Sequence, residues 1–223
     1  MAKKLISVLL SLTIIACSSI SIYAAEAKTT EVADKSTTEQ SVKKESEAKK
    51  VTVKQASSSK TKKTKAAQKA EKYKKGLAAY IRYINPNVSK SKSLTMAGYF
   101  IAKGKKYNLD EKVLMAIAKN ESTFYTNAKS PYGYKGLMQT SDALARKYGY
   151  KPSSLYKAQV SIEVGARYLS TMKKKFKTYT KALSAYAYGE GAVKAGRYST
   201  KIAKKMLNTR TQINNYLKRN NYI

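Results

Sequence analysis

The sequence contains no histidine and no tryptophan, and its 223 residues include a single cysteine. Without histidine, the chain cannot build a Ser-His-Asp or a Cys-His catalytic arrangement. The usual zinc sites are excluded as well, because one cysteine and no histidine cannot supply their ligands. No segment matches the phosphate-binding motif G-x-x-x-x-G-K-[ST]. If the protein is an enzyme, its proton transfers must therefore rely on carboxylates, lysines or tyrosines.

Acidic residues are also scarce: 13 Asp and Glu stand against 45 Lys and Arg, and the formal net charge is +32 at pH 7. A charge of this size and sign favours contact with polyanionic surfaces. The 223 residues leave room for one or two domains, since a domain typically takes ~100–200 residues.

The first 27 residues have the pattern of an export signal. Lys3 and Lys4 form a short basic start, residues 5–22 are mostly apolar, and small residues follow at Ala24, Ala25 and Ala27. Such an Ala-rich end offers sites for signal peptidase. Residues 1–27 are therefore predicted to be a signal peptide, and the mature protein is predicted to be secreted.

Two other interpretations of this segment stay open. An apolar stretch of this length can remain in the bilayer as an anchor, and residues 14–17 (Ile-Ile-Ala-Cys) fit a bacterial lipobox in which Cys17 is acylated. The Ser and Thr content favours cleavage, and the apolar residues that continue beyond Cys17 disfavour lipidation. Membrane attachment is expected only if Cys17 is lipidated. With ordinary cleavage the mature chain has no cysteine, and it needs no disulfide outside the cell.

Residues 28–75 differ in composition from the rest of the chain. They contain fifteen lysines and six acidic residues, hence a net charge of +9, and few large apolar side chains before Tyr73. Such a segment buries too little apolar surface to offset its ordering entropy. We therefore expect a disordered basic linker, whose partner is an anionic wall or membrane surface rather than a specific nucleic acid.

Residues 76–223 form the predicted globular domain, and their apolar residues recur every three to four positions, as on helices. No stretch alternates with the period of a strand. The apolar stripes predict helices at about 77–84, 93–106, 110–121, 162–176, 180–187 and 202–217. Ser93, Asp110 and Thr180 are expected to begin three of them, and Ser141 or Asp142 can cap a further short helix. The predicted fold class is mainly α.

Glu121 stands out on the third of these helices. It follows Ile117 by four residues and Val113 by eight, so its carboxylate lies on the apolar stripe. Burial of an unpaired carboxylate is costly and raises its pKa. This is the setting that a general acid needs near neutral pH. The alternative is a frayed helix end at which Glu121 simply reaches solvent.

Three segments around and after Glu121 carry a resemblance to a known family. The first reads NESTF at 120–124 and NAKSPYGYKGLMQ at 127–139, the second IEVGARYL at 162–169, and the third AYAYGEGAV at 185–193. In this order and spacing they resemble the soluble lytic transglycosylases, relatives of goose-type lysozyme, over about residues 93–196. Two positions depart from the family pattern: Ala187 stands where an Asn is expected, and Asp142 stands where a Pro is common. Loss of the amide at 187 predicts an altered activity or specificity.

The resemblance implies a lysozyme-like, mainly helical catalytic domain that cleaves peptidoglycan. Enzymes of this family cut the β-1,4 bond between N-acetylmuramic acid and N-acetylglucosamine and leave 1,6-anhydromuramoyl ends. Glu121 would serve first as acid and then as base. The implied partners are peptidoglycan glycan strands, with anionic wall polymers attracted by charge, and the implied location is the cell wall. No metal and no organic cofactor is implied.

Further site residues follow from the match to the family motifs. Ser122 and Ser130 are expected to hydrogen-bond the carboxylate or the N-acetyl group of the substrate, and Gly136 to allow close backbone approach. Met138 and Gln139 are expected on the floor of the cleft. The remaining expected contacts are tyrosines: Tyr186 as the site tyrosine, Tyr168 in the site or in the core, and Tyr132 and Tyr134 for stacking on sugar rings.

Two other classes of function remain open at this point. A goose-type lysozyme-like hydrolase would need a second acid, and Asp142 is the candidate nearest in sequence to the motif. A non-enzymatic cationic wall-binding protein would explain both the charge of +32 and Ala187. Residues 76–223 contain only six acidic residues. This scarcity favours a mechanism with one catalytic carboxylate over the two-carboxylate mechanism of a hydrolase.

Overall fold

A computed structural model describes the backbone of residues 56–223 and the side chains of residues 64–223. The predicted signal peptide and residues 28–55 of the predicted linker lie outside the described residues. The helices within this part of the chain are α1 (Ala56–Ile84), α2 (Lys90–Tyr107), α3 (Glu111–Ser122), α4 (Asp142–Lys147), α5 (Ala158–Phe176), α6 (Tyr179–Tyr188), α7 (Glu190–Lys194) and α8 (Lys201–Arg219). A short 3-10 helix, Pro152–Tyr156, precedes α5.

The mainly α fold class is confirmed for residues 56–223. Extended pairing in this part of the chain is limited to two isolated antiparallel bridges, Lys129 with Lys135 and Lys135 with Thr140. These bridges fold the segment between α3 and α4 back on itself. No helix in residues 56–223 is both long enough and apolar enough to cross a bilayer.

Helix α1 corrects the predicted extent of the linker. It begins at Ala56, so residues 56–75 are helical rather than disordered. Low apolar content suggested disorder here, but Ala, Lys, Gln and Glu are good helix formers. The exposed first part of α1 is also continuous with a second part that packs into the core through Leu77 and Ile81. As predicted, the helix ends at Ile84.

The N-termini of the helices confirm two predicted caps, Asp110 and Ser141, and correct two, Ser93 and Thr180. The Asp110 side chain accepts a hydrogen bond from the Lys112 N–H at the start of α3, as expected. Helix α2 begins earlier than predicted, with Ser89 as its cap. Ser93 is instead buried within α2, where its Oγ accepts a hydrogen bond of 2.8 Å from Arg82 Nη1.

Helices α4 and α6 are also capped by a hydroxyl side chain that accepts from a backbone N–H. Thr178 rather than Thr180 caps α6, with its side chain accepting from the Lys181 N–H. Ser141 rather than Asp142 caps α4, where its side chain accepts from the Leu144 N–H. In each case a hydroxyl just before the helix satisfies an otherwise unpaired backbone donor.

Helix α3 is the centre of the core. Its six consecutive residues from 113 to 118 are all buried, so the helix is covered on every side. Helices α2 and α8 pack directly against it, and α1, α5 and α6 complete the core around these three. This arrangement fixes the axis of α3 and therefore the position of Glu121 in its last turn.

A network of polar contacts holds the other end of α3. The Asp110 carboxylate accepts from Lys112 N–H at one oxygen and forms an ion pair of 2.8 Å with Arg210 Nε at the other. The Asp110 N–H donates to the Tyr179 hydroxyl at 2.8 Å, and the Tyr73 hydroxyl donates to Glu111. Helices α1, α6 and α8 are thus tied to the start of α3.

We predict that Asp110→Ala lowers the free energy of unfolding by about 1–2 kcal/mol, because it removes the cap of α3. Asp110→Asn keeps a capping oxygen and loses only the charge that pairs with the partly exposed Arg210, a change worth less than about 1 kcal/mol. Urea denaturation of both variants measures the difference. Equal losses in the two variants would contradict the capping role.

Candidate active site

Glu121 lies where α3 ends and the chain turns sharply. Thr123 and Phe124 both adopt positive φ, 51° and 59°, and the Thr123 N–H donates to the last carbonyls of α3. The Phe124 side chain then returns to the core, where it is fully buried. The helix end is therefore anchored directly after Glu121, and fraying, the alternative expected from sequence, does not occur.

The surroundings of Glu121 favour its protonated form. Its side chain is partly buried, and burial raises its pKa to about 7, while the positive charge of Lys205 opposes this shift. Among the described residues, no side chain forms a hydrogen bond or an ion pair with this carboxylate. Glu121 can therefore hold a proton or release it close to neutral pH.

Every other carboxylate of residues 76–223 has a positively charged partner. The Asp142 oxygens lie 2.7 and 2.8 Å from Lys135 Nζ. Burial opposes ionisation of Glu163, but hydrogen bonds from Lys103, Lys106 and Tyr107 lower its pKa to about 2. The remaining ion pairs are Asp110 with Arg210 and Lys112, Glu111 with Lys112, and Glu190 with Lys175 and Lys194. Within this part of the chain, Glu121 is the one acidic side chain without such a partner.

The loop between α3 and α4 folds back beneath Glu121 through Gly136. This residue has φ of 74°, and a Cβ placed on it would lie 1.9 Å from the Leu155 carbonyl oxygen. Its N–H donates to the Ala128 carbonyl at 2.8 Å. The close approach expected at Gly136 therefore occurs between two segments of the protein.

The structure places both predicted serines in backbone contacts of this loop. Ser122 Oγ lies 2.8 Å from the Leu137 carbonyl and 3.0 Å from the Ala118 carbonyl, so it joins α3 to the loop. Ser130 Oγ accepts from the Tyr134 N–H at 3.1 Å and closes the turn at 130–134. Neither hydroxyl bonds to Glu121 in this structure.

Met138 and Gln139 also hold the loop in place. Met138 is fully buried, which puts it in the layer beneath the site rather than on an exposed floor. Its N–H donates to Ser161 Oγ at 2.9 Å, and its carbonyl accepts from the Tyr186 hydroxyl at 2.8 Å. The Gln139 amide donates to the carbonyls of Ala128 and Gly136 at 3.1 and 2.8 Å.

Of the predicted tyrosines, Tyr186 lies nearest to the chemistry. Burial and then the charge of Glu121 raise the pKa of Tyr186 well above its usual value. Its ring centroid lies 5.5 Å from that of Tyr168, whose hydroxyl donates to the Ala185 carbonyl at 3.3 Å. Tyr168 packs against the core cluster and against the site tyrosine at once. Tyr132, expected to stack on sugars, is 63% exposed.

Five residues of this region received no role in the sequence analysis, although Gly165 and Arg167 belong to its second motif. Ser161 and Gly165 lie one turn apart on α5 and face Met138: a Cβ on Gly165 would lie 2.9 Å from Met138 Cβ and 3.0 Å from the Tyr186 hydroxyl. Their spacing of four residues places both on one face of a helix, and this was the sequence pattern that could have indicated their common contact. Tyr148 stacks beneath Arg167, whose guanidinium lies 4.4 Å from the ring centroid. Lys205, on α8, lies outside the three motifs, and nothing in its own neighbourhood indicated the site.

Residues 98–209 match the family described as the Transglycosylase SLT domain, and this match covers half of the chain and all three motifs. The chain belongs to this family. Family membership confirms the expected fold class, a lysozyme-like, mainly helical domain, and the resemblance that the motifs carried.

Solved structures with similarity to this chain include an inactive mutant of the lytic transglycosylase Slt from Pseudomonas aeruginosa, with 22% identity and a TM-score of 0.45. The 70-kDa soluble lytic transglycosylase from Escherichia coli has 23% identity and a TM-score of 0.45, as does a structure of the 70-kDa soluble lytic transglycosylase in complex with bulgecin A. Each comparison covers 66% of this chain, but only 30% of the Pseudomonas chain and 29% of each of the others.

We predict that Gly136→Ala destabilises the protein at least twice as much as Gly133→Ala. Both glycines have positive φ, 74° and 82°, so an alanine at either position costs about 1–2 kcal/mol of backbone strain. Only at Gly136 does the new Cβ also meet the Leu155 carbonyl, because nothing lies within 4 Å of a Cβ at Gly133. Urea denaturation of the two variants makes the comparison, and similar losses would show that the loop yields at Gly136.

Proposed function

We propose that this chain is a lytic transglycosylase that cleaves the β-1,4 bond between N-acetylmuramic acid and N-acetylglucosamine in peptidoglycan and leaves 1,6-anhydromuramoyl ends. Membership of the Transglycosylase SLT domain family supports the class of reaction. The observation that carries the proposal is Glu121, an unpaired and partly buried carboxyl group whose pKa is raised to about 7.

One carboxyl group suffices for both proton transfers in this reaction. Protonated Glu121 gives its proton to the glycosidic oxygen as the bond from that oxygen to the muramoyl C1 breaks. The resulting carboxylate accepts the proton of the muramoyl 6-hydroxyl as its oxygen bonds to C1, which closes the 1,6-anhydro ring. Glu121 ends the cycle protonated. A pKa close to the working pH makes each transfer efficient.

The electrostatic balance around Glu121 suits this alternation. Burial favours the protonated form at the start, and Lys205 favours the carboxylate that exists between the two transfers. The Met138 carbonyl accepts from Tyr186, whose pKa is raised by burial and by the charge of Glu121, and the Met138 N–H donates to Ser161, so the loop backbone is held on both sides of this residue. Rigid placement of the proton donor is a large part of catalysis by general acids.

The hydrolase alternative is less well supported. A second carboxylate would have to activate water or attack C1. Asp142, the nearest candidate in sequence, opens α4 behind the Ser141 cap and is ion-paired through both oxygens with Lys135. Both oxygens that would have to contact water or C1 are thus hydrogen-bonded to the lysine. We further propose secretion by the signal peptide at 1–27 and retention at the cell wall by charge.

We predict that Glu121→Gln abolishes turnover, with kcat reduced by at least about 100-fold, because an amide cannot deliver the proton. The matched control is Asp142→Asn, which also removes one carboxylate charge and should keep near wild-type turnover. Mass spectrometry of muropeptides released from purified peptidoglycan measures both the rate and the chemistry. Anhydromuramoyl ends are expected from the wild type and from the control.

Other products would decide between the alternatives. Reducing ends, together with loss of activity in a folded Asp142→Asn variant, would establish a two-carboxylate hydrolase. Unchanged turnover in Glu121→Gln would remove Glu121 from the mechanism. The absence of any product from the wild type, with peptidoglycan still bound, would identify a binding protein.

We predict that kcat/KM falls about tenfold per pH unit above about pH 7, because only protonated Glu121 begins the reaction. The free energy of unfolding should also depend on the ionisation of Glu121. The carboxyl has a higher pKa when folded than the ordinary value of 4.5, so the folded state binds its proton more tightly and loses stability as pH rises from 4.5 to about 7.

The Glu121→Gln variant lacks this loss of stability. Its melting temperature relative to wild type should therefore rise between about pH 4.5 and 7 and stay constant above that range. Melting curves at pH 4, 6 and 8 test the expectation independently of any substrate. A constant difference at all three values would mean that the Glu121 pKa is not raised.

A further inference from the structure

Four lysines converge on a cavity between α3 and α8, and of its lining residues the proposed reaction involves only Lys205. The cavity has a volume of about 420 Å³, and its charged lining consists of Lys119 from α3 and Lys201, Lys204 and Lys205 from α8. Lys204 and Lys205 follow Lys201 by three and four residues, so all three lie on one side of α8. They are exposed to solvent, and half-buried Lys119 faces them from a second helix, so the cavity is an open groove bordered by both helices.

These charges are not neutralised within residues 64–223. None of the four lysines forms an ion pair in this part of the chain. Five of the six carboxylates of the domain are held by other cations, and the sixth, Glu121, is influenced by Lys205 but does not line the cavity. Like charges at helical spacing repel one another, so the cluster is destabilising until an anion binds.

The neutral part of the lining consists of hydrogen-bonding side chains. Asn208 and Gln212 lie one turn apart on α8, next to the lysines. Thr209 forms the buried wall: its hydroxyl accepts from Asn120 Nδ2 at 3.0 Å and donates to the Lys205 carbonyl at 3.1 Å. These bonds fix the backbone from which Lys205 extends. The cavity thus has one buried, hydrogen-bonded side at Thr209 and two exposed amide side chains, Asn208 and Gln212, that can donate to a ligand.

The chemistry of the lining selects among anionic and neutral ligands. No aromatic side chain and no carboxylate lines the cavity, so it is suited neither to stacking on sugar rings or bases nor to binding a cation. Arginine, whose planar fork matches a carboxylate with two parallel hydrogen bonds, is also absent from the lining. Lysine is a compact charge that binds phosphate oxygens well.

We propose that this cavity binds consecutive phosphodiester groups of an anionic polymer in the cell envelope. A volume of about 420 Å³ exceeds what a single phosphate ion fills, since one water molecule takes up ~30 Å³ of liquid. Four lysine charges likewise exceed the charge of one phosphodiester group. The site therefore fits a short stretch of polymer better than a free ion. This binding does not require that the chain cleave peptidoglycan.

The test compares two double variants that remove the same charge. All four substituted lysines are exposed. Lys201→Gln with Lys204→Gln removes two that line the cavity, whereas Lys174→Gln with Lys218→Gln removes two that do not. The probe is purified poly(glycerol phosphate), and Kd is measured by titration calorimetry at physiological ionic strength, with melting curves to establish that both variants are folded. We expect the cavity variant to raise Kd at least about tenfold and the control no more than about twofold, because the control loses only unspecific attraction.

Equal losses in the two variants would overturn the proposal and leave unspecific attraction by the basic chain. Two further probes distinguish the ligand chemistry. The cavity variant should bind poly-L-glutamate and phosphatidylglycerol vesicles about as well as the control variant does. If the cavity variant loses as much affinity for poly-L-glutamate, relative to the control variant, as it loses for poly(glycerol phosphate), the preference for phosphodiesters is wrong. A larger selective loss with vesicles than with the polymer would identify lipid headgroups as the ligand instead.

Discussion

The burial of α3 on all sides is the constraint on which the rest of the structure depends. Its six consecutive core residues supply apolar contact to α2 and α8, and the polar network around Asp110 fixes its start. The last turn of such a helix can hold a carboxylate in partly desolvated surroundings, because the packing of the preceding turns stabilises the helix against the cost. The raised pKa of Glu121 follows directly from this position.

Charge is distributed unequally over this very basic chain. Five of the six side-chain carboxylates of the domain pair with nearby lysines or arginines, and three of them connect separate helices: Asp110 the start of α3 to α8, Glu163 α5 to α2, and Glu190 α7 to α5. Glu121 has no such partner among residues 64–223, and neither do the four lysines at the cavity between α3 and α8. Glu121 and these four lysines thus lie on the same pair of helices, α3 and α8.

The motif residues around Glu121 act mainly through backbone contacts. Gly136 permits contact with the 3-10 helix, Gln139 binds two carbonyls of its own loop, and Tyr186 binds the carbonyl of Met138. The sequence analysis expected substrate contacts at these positions, and that expectation stays a prediction. The structure shows that Gln139 and Tyr186 hydrogen-bond to backbone carbonyls of the loop between α3 and α4.

Sequence alone determined the helical class, the end of α1 at Ile84, the cap at Asp110 and the placement of Glu121 on a helix with a buried apolar stripe, because each depends on periodicity or on neighbours within a few residues. It misjudged residues 56–75, since composition does not reveal that an exposed segment continues a helix anchored in the core. Tertiary structure decided which carboxylates are paired, that Met138 is buried, and that Lys205 and Lys119 belong to one region. These outcomes depend on contacts between residues tens of positions apart, and such contacts are set by how α3, α5 and α8 pack rather than by any local pattern.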